Sequence, residues 1–514
     1  MSSLDHMSTM MTTSAIKTNL EQTNDERCIP QNSIEAFYAD AVILITGATG
    51  FLGKALVEKL LRSCSRLATI FILIRPKKGQ TVDQRLQQLL QNSVFDRLRV
   101  ENPSVFEKIH PIKGDVTMPD LGLLPEDKQT LIRKVNIVFH SAATVRFDEP
   151  LKVAVNLNTK GTNEIIDLCK SMKNLISFIH VSTAYSNANL KEINEAVYTT
   201  KVQPSTVINM CEDLDDSTIE ILEQKILENH PNTYTFTKNL AEQLLLTRAT
   251  QLPVAIVRPS IVGAARKDPF PGWVDNLNGI TGVMMEISKG TLKTIAADPD
   301  IAVEIVPVDY VIDTLICAAW HMSMQQNNSI KIYNCTSKNI IRVRDYLKFT
   351  LKHSIQLPTK YMVWYPSIHS HKNKLIVETM TYILNYIPAL VLDLFSNIMG
   401  RKAIMFKTAK RMSRTMRNGT FFVMNEWKFQ RDNMDDLSKK AKALKDSNNF
   451  DIDRCNHNWD TYVRDYILGI RKYIMHDTCF SKFQSRVSLL YFIHRLTQVS
   501  SILFLLVIIL RFSH

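Results

Sequence analysis

The sequence predicts an α/β protein: a doubly wound parallel sheet, followed by a helical C-terminal domain and an apolar C-terminal tail. Three observations carry that expectation. From about Val42 to Ile261, short apolar runs alternate with helical patterns, as strands buried on both faces alternate with their crossover helices. After about residue 350 the strand-like runs give way to helical segments with aromatic and basic residues. Near the end, "VSSILFLLVIIL" (Val499 to Leu510) is uncharged throughout.

The first element is the most informative. In "VILITGATGFLGKALVEKLL", the buried strand from Val42 runs straight into glycines spaced three apart, and these run into an amphipathic helix. Gly47, Gly50 and Gly53 suit a tight strand-to-helix turn in which the backbone approaches an anion and the helix packs closely on its strand. The free N–H groups of the helix start then face a pyrophosphate, so the loop from Gly47 to Gly53 is read as a dinucleotide site. "TIFILIR" (Thr69 to Arg75) is the second strand, with Lys77 and Lys78 after it. An acid near this strand end suits the ribose hydroxyls of NAD, whereas the basic Arg75 suits a 2′-phosphate, which favours NADPH. "GDVT" sets Asp115 and Val116 at the next strand end, where an acid can accept from the adenine amine. "VNIVFHSAAT", "ISFIHVSTAY" and "VAIVRPSIV" supply further strands. Ligands of such a sheet bind beyond the strands' carboxyl ends. His140 and His180 lie within strands and are expected to be satisfied core histidines.

Two stretches carry chemistry. "VSTAY" presents Ser182 and Thr183 at a strand end, and "TYTFTK" puts Tyr234 and Lys238 four apart on a helix. That spacing sets phenol and ammonium on one face, one turn apart. A neighbouring ammonium is expected to lower the phenol's pKa. Such a tyrosine can give a proton to a carbonyl oxygen as hydride reaches its carbon, while a hydroxyl of Thr183 or Ser182 holds the same oxygen.

Bulk properties narrow the class. With 514 residues, 45% hydrophobic and 22% charged, the chain suits a globular protein of two domains plus appendages. The net charge of +12 is concentrated at Arg401, Lys402, Lys407, Lys410, Arg411, Arg414 and Arg417, with no acid among them. This cluster suits a solvated helix face, a polyphosphate ligand or an anionic membrane surface; nucleic acid is disfavoured for lack of any recognisable motif. Eight scattered cysteines without a C-x-x-C pair point to reduced thiols, with neither a disulfide framework nor a metal site. Residues 1–32 read as disordered and lack a signal peptide's apolar core. "LIVETMTYILNYIPALVLDLF" is interrupted by Glu378, Asn385, Pro388 and Asp393, and Pro388 is expected to kink or divide it, giving two packed or membrane-surface helices rather than a spanning one. The terminal apolar run spans about 18 Å as a helix, short of a bilayer's core, so it reads as a tail anchor or shallow hairpin.

Taken together, "TGATGFLGKALVEKLLRSC", "LIRPKKG", "HSAATVRFDEPL", "VSTAYSN", "HPNTYTFTKNLAE", "VRPSIVGA", "PGWVDNLNG", "NEWKFQRDN" and "FDIDRCNHNWDTYVRDYILGIRKY" resemble the alcohol-forming fatty acyl-CoA reductases of insect type, within the extended short-chain dehydrogenase/reductases. The resemblance covers about residues 33 to 474. It implies a Rossmann reductase domain (33–350), a helical domain (351–474) and a membrane-associated tail (475–514). It also implies NADPH-dependent reduction of long-chain acyl-CoA to a primary alcohol through an aldehyde, without an acyl-enzyme. The implied catalytic residues are Thr183 (or Ser182), Tyr234 and Lys238. The implied cofactor residues are Gly47, Ala48, Thr49, Gly50, Phe51, Leu52, Gly53, Arg75, Asp115, Val116, Ala142, Ala143, Asn158, Tyr234, Lys238 and Pro259. The residues between Tyr185 and Tyr234 are expected to form part of a lid or acyl channel. The implied partners are acyl-CoA and a membrane of endoplasmic reticulum or peroxisome, with the catalytic domain facing the cytosol; homo-oligomerisation is left open. A reductase stopping at aldehyde, a sterol or nucleotide-sugar reductase or epimerase, and a membrane scaffold without catalysis are the alternatives.

Overall fold

The computed structural model describes residues 32–77, 79–325, 329–452, 457–477 and 483–512. Residues 1–31 of the N-terminal segment expected to be disordered, with Cys28 among them, and Lys78, Cys455 and Cys479 lie outside them. Seven parallel strands form the central sheet: β1 (Val42–Thr46), β2 (Thr69–Ile74), β3 (Ile109–Lys113), β4 (Ile137–His140), β5 (Ser177–Val181), β6 (Val254–Pro259) and β7 (Lys331–Cys335). Their order across the sheet is β7-β6-β5-β4-β1-β2-β3. The order reverses between β1 and β4, so a crevice opens there at the strands' carboxyl ends.

Alternation along each strand decides which core each side chain enters. Ile43, Ile45, Phe139, Ile179 and Val257 pack on one face with α1 (Phe51–Ser63) and α4 (Val308–Ser323). Leu44, Val138, Phe178 and Ile256 pack on the other with α2 (Gly161–Ser171) and α3 (Thr233–Arg248). The first of these cores also contains Met434, Leu437, Phe450 and Ile452, so the C-terminal part of the chain returns to cover the sheet. Glu195 fastens that return: its carboxylate accepts from the backbone N–H groups of Asn334 (2.9 Å), Met434 (3.2 Å) and Asn433.

Helix α3 is tied to the sheet by a fully buried ion pair. The Arg258 guanidinium donates to Glu242 at 2.9 and 2.6 Å, and both side chains are wholly inaccessible. Its remaining N–H groups reach the carbonyls of Asn194 and Ala196, at 2.9 and 2.8 Å. A pair this deep persists only when every donor and acceptor is matched.

Pro388 does not divide its helix. Residues Lys374–Ile398 run on as one helical segment, here α5, by taking a wide π-turn at Tyr382–Tyr386 just before the proline. The wider turn removes the clash between the proline ring and the preceding carbonyls. Asp393 does not interrupt the helix either, because its carboxylate accepts from the N–H groups of Met405 (2.8 Å) and Phe406 (2.9 Å) at the start of α6 (Met405–Gly419). The terminal helix α7 (Gln484–Phe512) is longer than the apolar run, about 44 Å at 1.5 Å per residue. His494 docks its first half on the body, stacking on Tyr365 and hydrogen-bonded to Trp364.

Replacing Arg258 by Met is expected to cost about 3–5 kcal/mol, because the Glu242 carboxylate is then buried without a partner. Urea unfolding should show the lower midpoint, and the double variant Arg258→Met, Glu242→Leu should recover most of it. A single variant as stable as the parent would contradict this account of the pair.

Candidate active site

The glycine loop has the close packing its sequence predicts. Gly47 lies at a φ of 75°, and a Cβ there would stand 2.7 Å from the backbone nitrogen of Ala142. A Cβ on Gly53 would meet the Gly47 carbonyl oxygen at 2.2 Å, so only glycine lets α1 sit so close to the turn. Gly50 caps α1 with extended backbone and no side-chain hydrogen bond, which leaves the N–H groups of Phe51, Leu52 and Gly53 for an anion. Ala48 is buried under the loop and Thr49 half-buried. The Phe51 ring stacks on Trp273 at 5.2 Å, fixing the helix start.

Arg75 stands exposed just past β2, its guanidinium 3.8 Å from the Asp115 carboxylate beyond β3. Asp115 also accepts from the N–H and hydroxyl of Thr117, at 3.0 and 2.9 Å. Val116 is buried against Gly161 at the start of α2. Ala142 and Ala143 are half-buried beyond β4, and the N–H of Ala142 donates to Thr46 Oγ1 at 3.3 Å. Asn158 is buried, and its amide is used within the protein. It accepts from the N–H of Thr144 (2.9 Å) and donates to the Thr144 carbonyl (3.2 Å) and the Thr237 hydroxyl (3.0 Å), binding the loop after β4 to α3.

The two hydroxyls after β5 separate in function. Ser182 donates to the buried Glu242 carboxylate and is thereby engaged in the core. Thr183 turns the other way: its Oγ1 caps the following turn through the Tyr185 N–H at 3.2 Å, lies 3.5 Å from the Pro259 carbonyl, and is near enough to the Tyr234 hydroxyl to pull that phenol's pKa down. Lys238, one turn along α3, points its ammonium at the Val181 carbonyl, 2.8 Å away. Thr183, Tyr234 and Lys238 thus meet at the carboxyl end of β5.

One expectation is corrected. The phenol's pKa is raised, not lowered, because burial dominates. Burial pushes Tyr234 up to about 12, against a smaller opposing pull from Thr183. Burial likewise pushes Lys238 down to about 8, against the pull of the Glu242 carboxylate. Tyr234 is therefore a neutral proton donor across the neutral range. His140 is satisfied as expected, within 2.7 Å of Thr46 Oγ1 and 3.1 Å of Thr162 Oγ1. His180 is not: its ring nitrogens have no hydrogen-bond partner, and burial holds it well below its ordinary pKa, in the neutral form.

Sequence reasoning missed five contributors. Glu242 signals itself only as an acid four residues past Lys238, and Arg258 only as a charge inside an apolar strand. Phe147 faces Tyr234 at 5.8 Å and Phe422 at 5.0 Å. Phe422 and Trp427 both pack edge-on to Tyr185, at 5.2 Å. These aromatics come from segments far apart in the chain and converge only in three dimensions. The helices Pro204–Asp213 and Asp216–Ile226, within the segment expected to be a lid or channel, pack through Val207 and Ile219 on a cluster shared with Phe236 and Leu240 of α3. The cysteines Cys64, Cys169, Cys211, Cys317 and Cys335 are free and buried.

An all-parallel sheet in this order, with a glycine loop at its first strand and a tyrosine and lysine one turn apart beyond β5, marks a nicotinamide-dependent oxidoreductase of the extended short-chain dehydrogenase/reductase kind. Models described as Male sterility protein match residues 45–315, the nucleotide-binding part, and residues 384–477. The chain is 40% identical to fatty acyl-CoA reductase 1 of Rattus norvegicus over 450 residues, 87% of each chain. It is 39% identical to that of Homo sapiens over the same span, and 38% identical to fatty acyl-CoA reductase 2 of Mus musculus over 86% of each chain. It belongs to the fatty acyl-CoA reductase family. In fold it is similar to a reductase domain of a nonribosomal peptide synthetase from Mycobacterium tuberculosis (TM-score 0.57, 19% identity, 88% of this chain and 96% of that one). It is also similar to the terminal R domain of the myxalamid pathway (TM-score 0.55, 20% identity, 85% and 92%).

Because Lys238 loses its proton as pH rises through about 8, kcat/KM is expected to fall on the alkaline side of that value. Lys238→Arg, charged throughout, should move the falling limb upward by two or more pH units. A parent profile flat to about pH 10 would contradict the geometry's reading of this ammonium.

Proposed function

We propose that this protein reduces long-chain fatty acyl-CoA to a primary fatty alcohol, with NADPH as reductant and release of CoA. The reading is carried by the convergence of Thr183, Tyr234 and Lys238 on the carboxyl edge of a nucleotide-binding sheet, in a chain 40% identical to a protein named fatty acyl-CoA reductase. The dinucleotide fits: the glycine cradle and the uncapped start of α1 suit a pyrophosphate, Arg75 a 2′-phosphate, and Asp115 the adenine amine. When bound, the reduced nicotinamide supplies hydride.

The chain's own residues supply the rest. Thr183 and Tyr234 donate hydrogen bonds to the substrate's carbonyl oxygen, which gathers negative charge in the transition state. Tyr234 gives that oxygen its proton, since its phenol is neutral at working pH. Lys238, fixed by the Val181 carbonyl, keeps a positive charge beneath the phenol and binds the nicotinamide ribose. Phe147, Phe422 and Trp427 wall the approach to Tyr234 with apolar surface suited to an acyl chain. Reducing the thioester consumes one hydride and one proton and expels CoA; reducing the aldehyde consumes a second of each. We assign the reductase domain to residues 33–350, the helical domain to 351–474 and the membrane-associated tail to 475–514. The catalytic face is toward the cytosol at the endoplasmic reticulum or peroxisome, where acyl-CoA and NADPH are available.

Detergent-solubilised protein with palmitoyl-CoA should oxidise two NADPH per CoA thiol released. One per thiol would mean that the reaction stops at aldehyde, and none at any chain length would return the sterol, sugar and non-catalytic alternatives. Tyr234→Phe should lower turnover by about 10²-fold or more while leaving NADPH binding intact; unchanged turnover would remove the tyrosine from the mechanism. Arg75→Asp should reduce the preference for NADPH over NADH by about tenfold or more, and an unchanged ratio would place the 2′-phosphate elsewhere.

A further inference from the structure

Helix α5 is long and apolar enough to cross a bilayer, at 25 residues, yet one side of it is packed on the protein body. Val377, Asn385 and Ala389 form a buried stripe along the helix, and Thr381, between them, bonds to Thr294 at 2.9 Å. The protein body therefore lies alongside α5 for most of its length. The opposite face is uncovered: Leu390, Leu394, Phe395 and Ile398 are 50% to 72% exposed. Single exposed apolar residues are ordinary, but a continuous helical face of them marks a surface that meets something apolar.

The second arm of the hairpin supplies charge. Asp393 caps α6, and Tyr386 packs edge-on to Phe406, so the two helices are held together. Met412 and Met416 of α6 pack inward on the body, while Lys407, Lys410, Arg411, Arg414 and Arg417 are exposed. Among the described residues, only Arg414 of these five has a carboxylate partner, Asp148 at 3.2 Å. An uncovered apolar face beside cations that the protein leaves uncompensated is complementary to anionic phospholipid: acyl region for the one, headgroups for the other. The Arg414–Asp148 contact also fixes where this surface lies. Asp148 follows Phe147, whose ring faces Tyr234.

We propose that the α5–α6 hairpin is a monotopic docking surface for an anionic phospholipid bilayer, with α5 lying in the plane of the membrane interface on the Phe147 side of the candidate active site. The proposal rests on the reading of the protein as membrane-associated, and adds a second contact to that of the terminal tail. It places membrane-dissolved acyl chains next to the aromatic wall before Tyr234.

The test uses the full-length chain carrying Leu394→Cys, labelled with the fluorophore NBD, with the wild-type chain treated identically as blank. It is bound to phosphatidylcholine vesicles with and without phosphatidylserine, and quenched by lipids bearing a nitroxide near the headgroup or near the chain end. The expected result is a blue shift with shallow quenching, stronger with phosphatidylserine. The further substitutions Lys407→Gln, Lys410→Gln and Arg411→Gln should raise the lipid needed for half the response by about tenfold or more. Deep quenching would overturn the proposal in favour of a spanning helix, and indifference to phosphatidylserine and to the glutamines would overturn its anionic partner. Protein that floats with vesicles while its fluorophore stays in water would overturn this surface and leave the tail as the membrane contact. Failure to float would overturn the membrane reading itself.

Discussion

The buried pair between Glu242 and Arg258 is the contact on which the site's arrangement rests. Glu242 lies on the helix that carries Tyr234 and Lys238; Arg258 lies in the strand beside the one that ends in Ser182 and Thr183. Their shared network takes up the Ser182 hydroxyl, so Thr183 is left to face Tyr234. It also takes up the carbonyls of Asn194 and Ala196, which anchors the chain leaving the site. Charges removed so completely from water tolerate little displacement, because each lost hydrogen bond exposes a desolvation cost of several kcal/mol. Rigidity of this kind is what a site needs when donors must be aimed beforehand at an oxygen that is only transiently charged.

The C-terminal region is part of the same core. Met434, Leu437, Phe450 and Ile452 complete one face of the sheet, and Phe422 and Trp427 complete the aromatic wall beside Tyr185. Glu195 joins the two halves by accepting backbone N–H groups from both β7 and the helix start at Asn433. The nucleotide half and the helical half thus form one continuous interior. The aromatic wall beside Tyr234 and Tyr185 is drawn from both, from positions nearly three hundred residues apart in the sequence.

Local order in the chain was legible and convergence was not. Strands β1, β2, β4, β5 and β6 were visible as apolar runs, and the glycine loop as a strand, three glycines and a helix in succession, because those signals are written in adjacent residues; β3 was placed only by the GDVT that follows it, and β7, with Lys331 and Asn334 in it, was not read. Tyr234 and Lys238 were visible because helical spacing sets them together without help from the rest of the fold. The sense of the phenol's pKa was misread, since spacing shows that an ammonium is near but not how deeply the phenol is buried. The choice between Ser182 and Thr183 stayed open for the same reason: the partner that separates them, Glu242, is sixty residues away. Pro388 was read as a breaker because the π-turn that accommodates it leaves no mark in composition. Phe147 and Phe422 were missed because nothing local links them.

The account stands on NADPH supplying two hydrides in turn to the same carbon. NADPH carrying deuterium on the transferred face of its nicotinamide, supplied with palmitoyl-CoA, tests this directly through the mass of the alcohol formed. Two deuterium atoms at the first carbon of every alcohol molecule is the predicted result. One deuterium, or an aldehyde bearing one and no alcohol, would contradict the claim that NADPH supplies both hydrides.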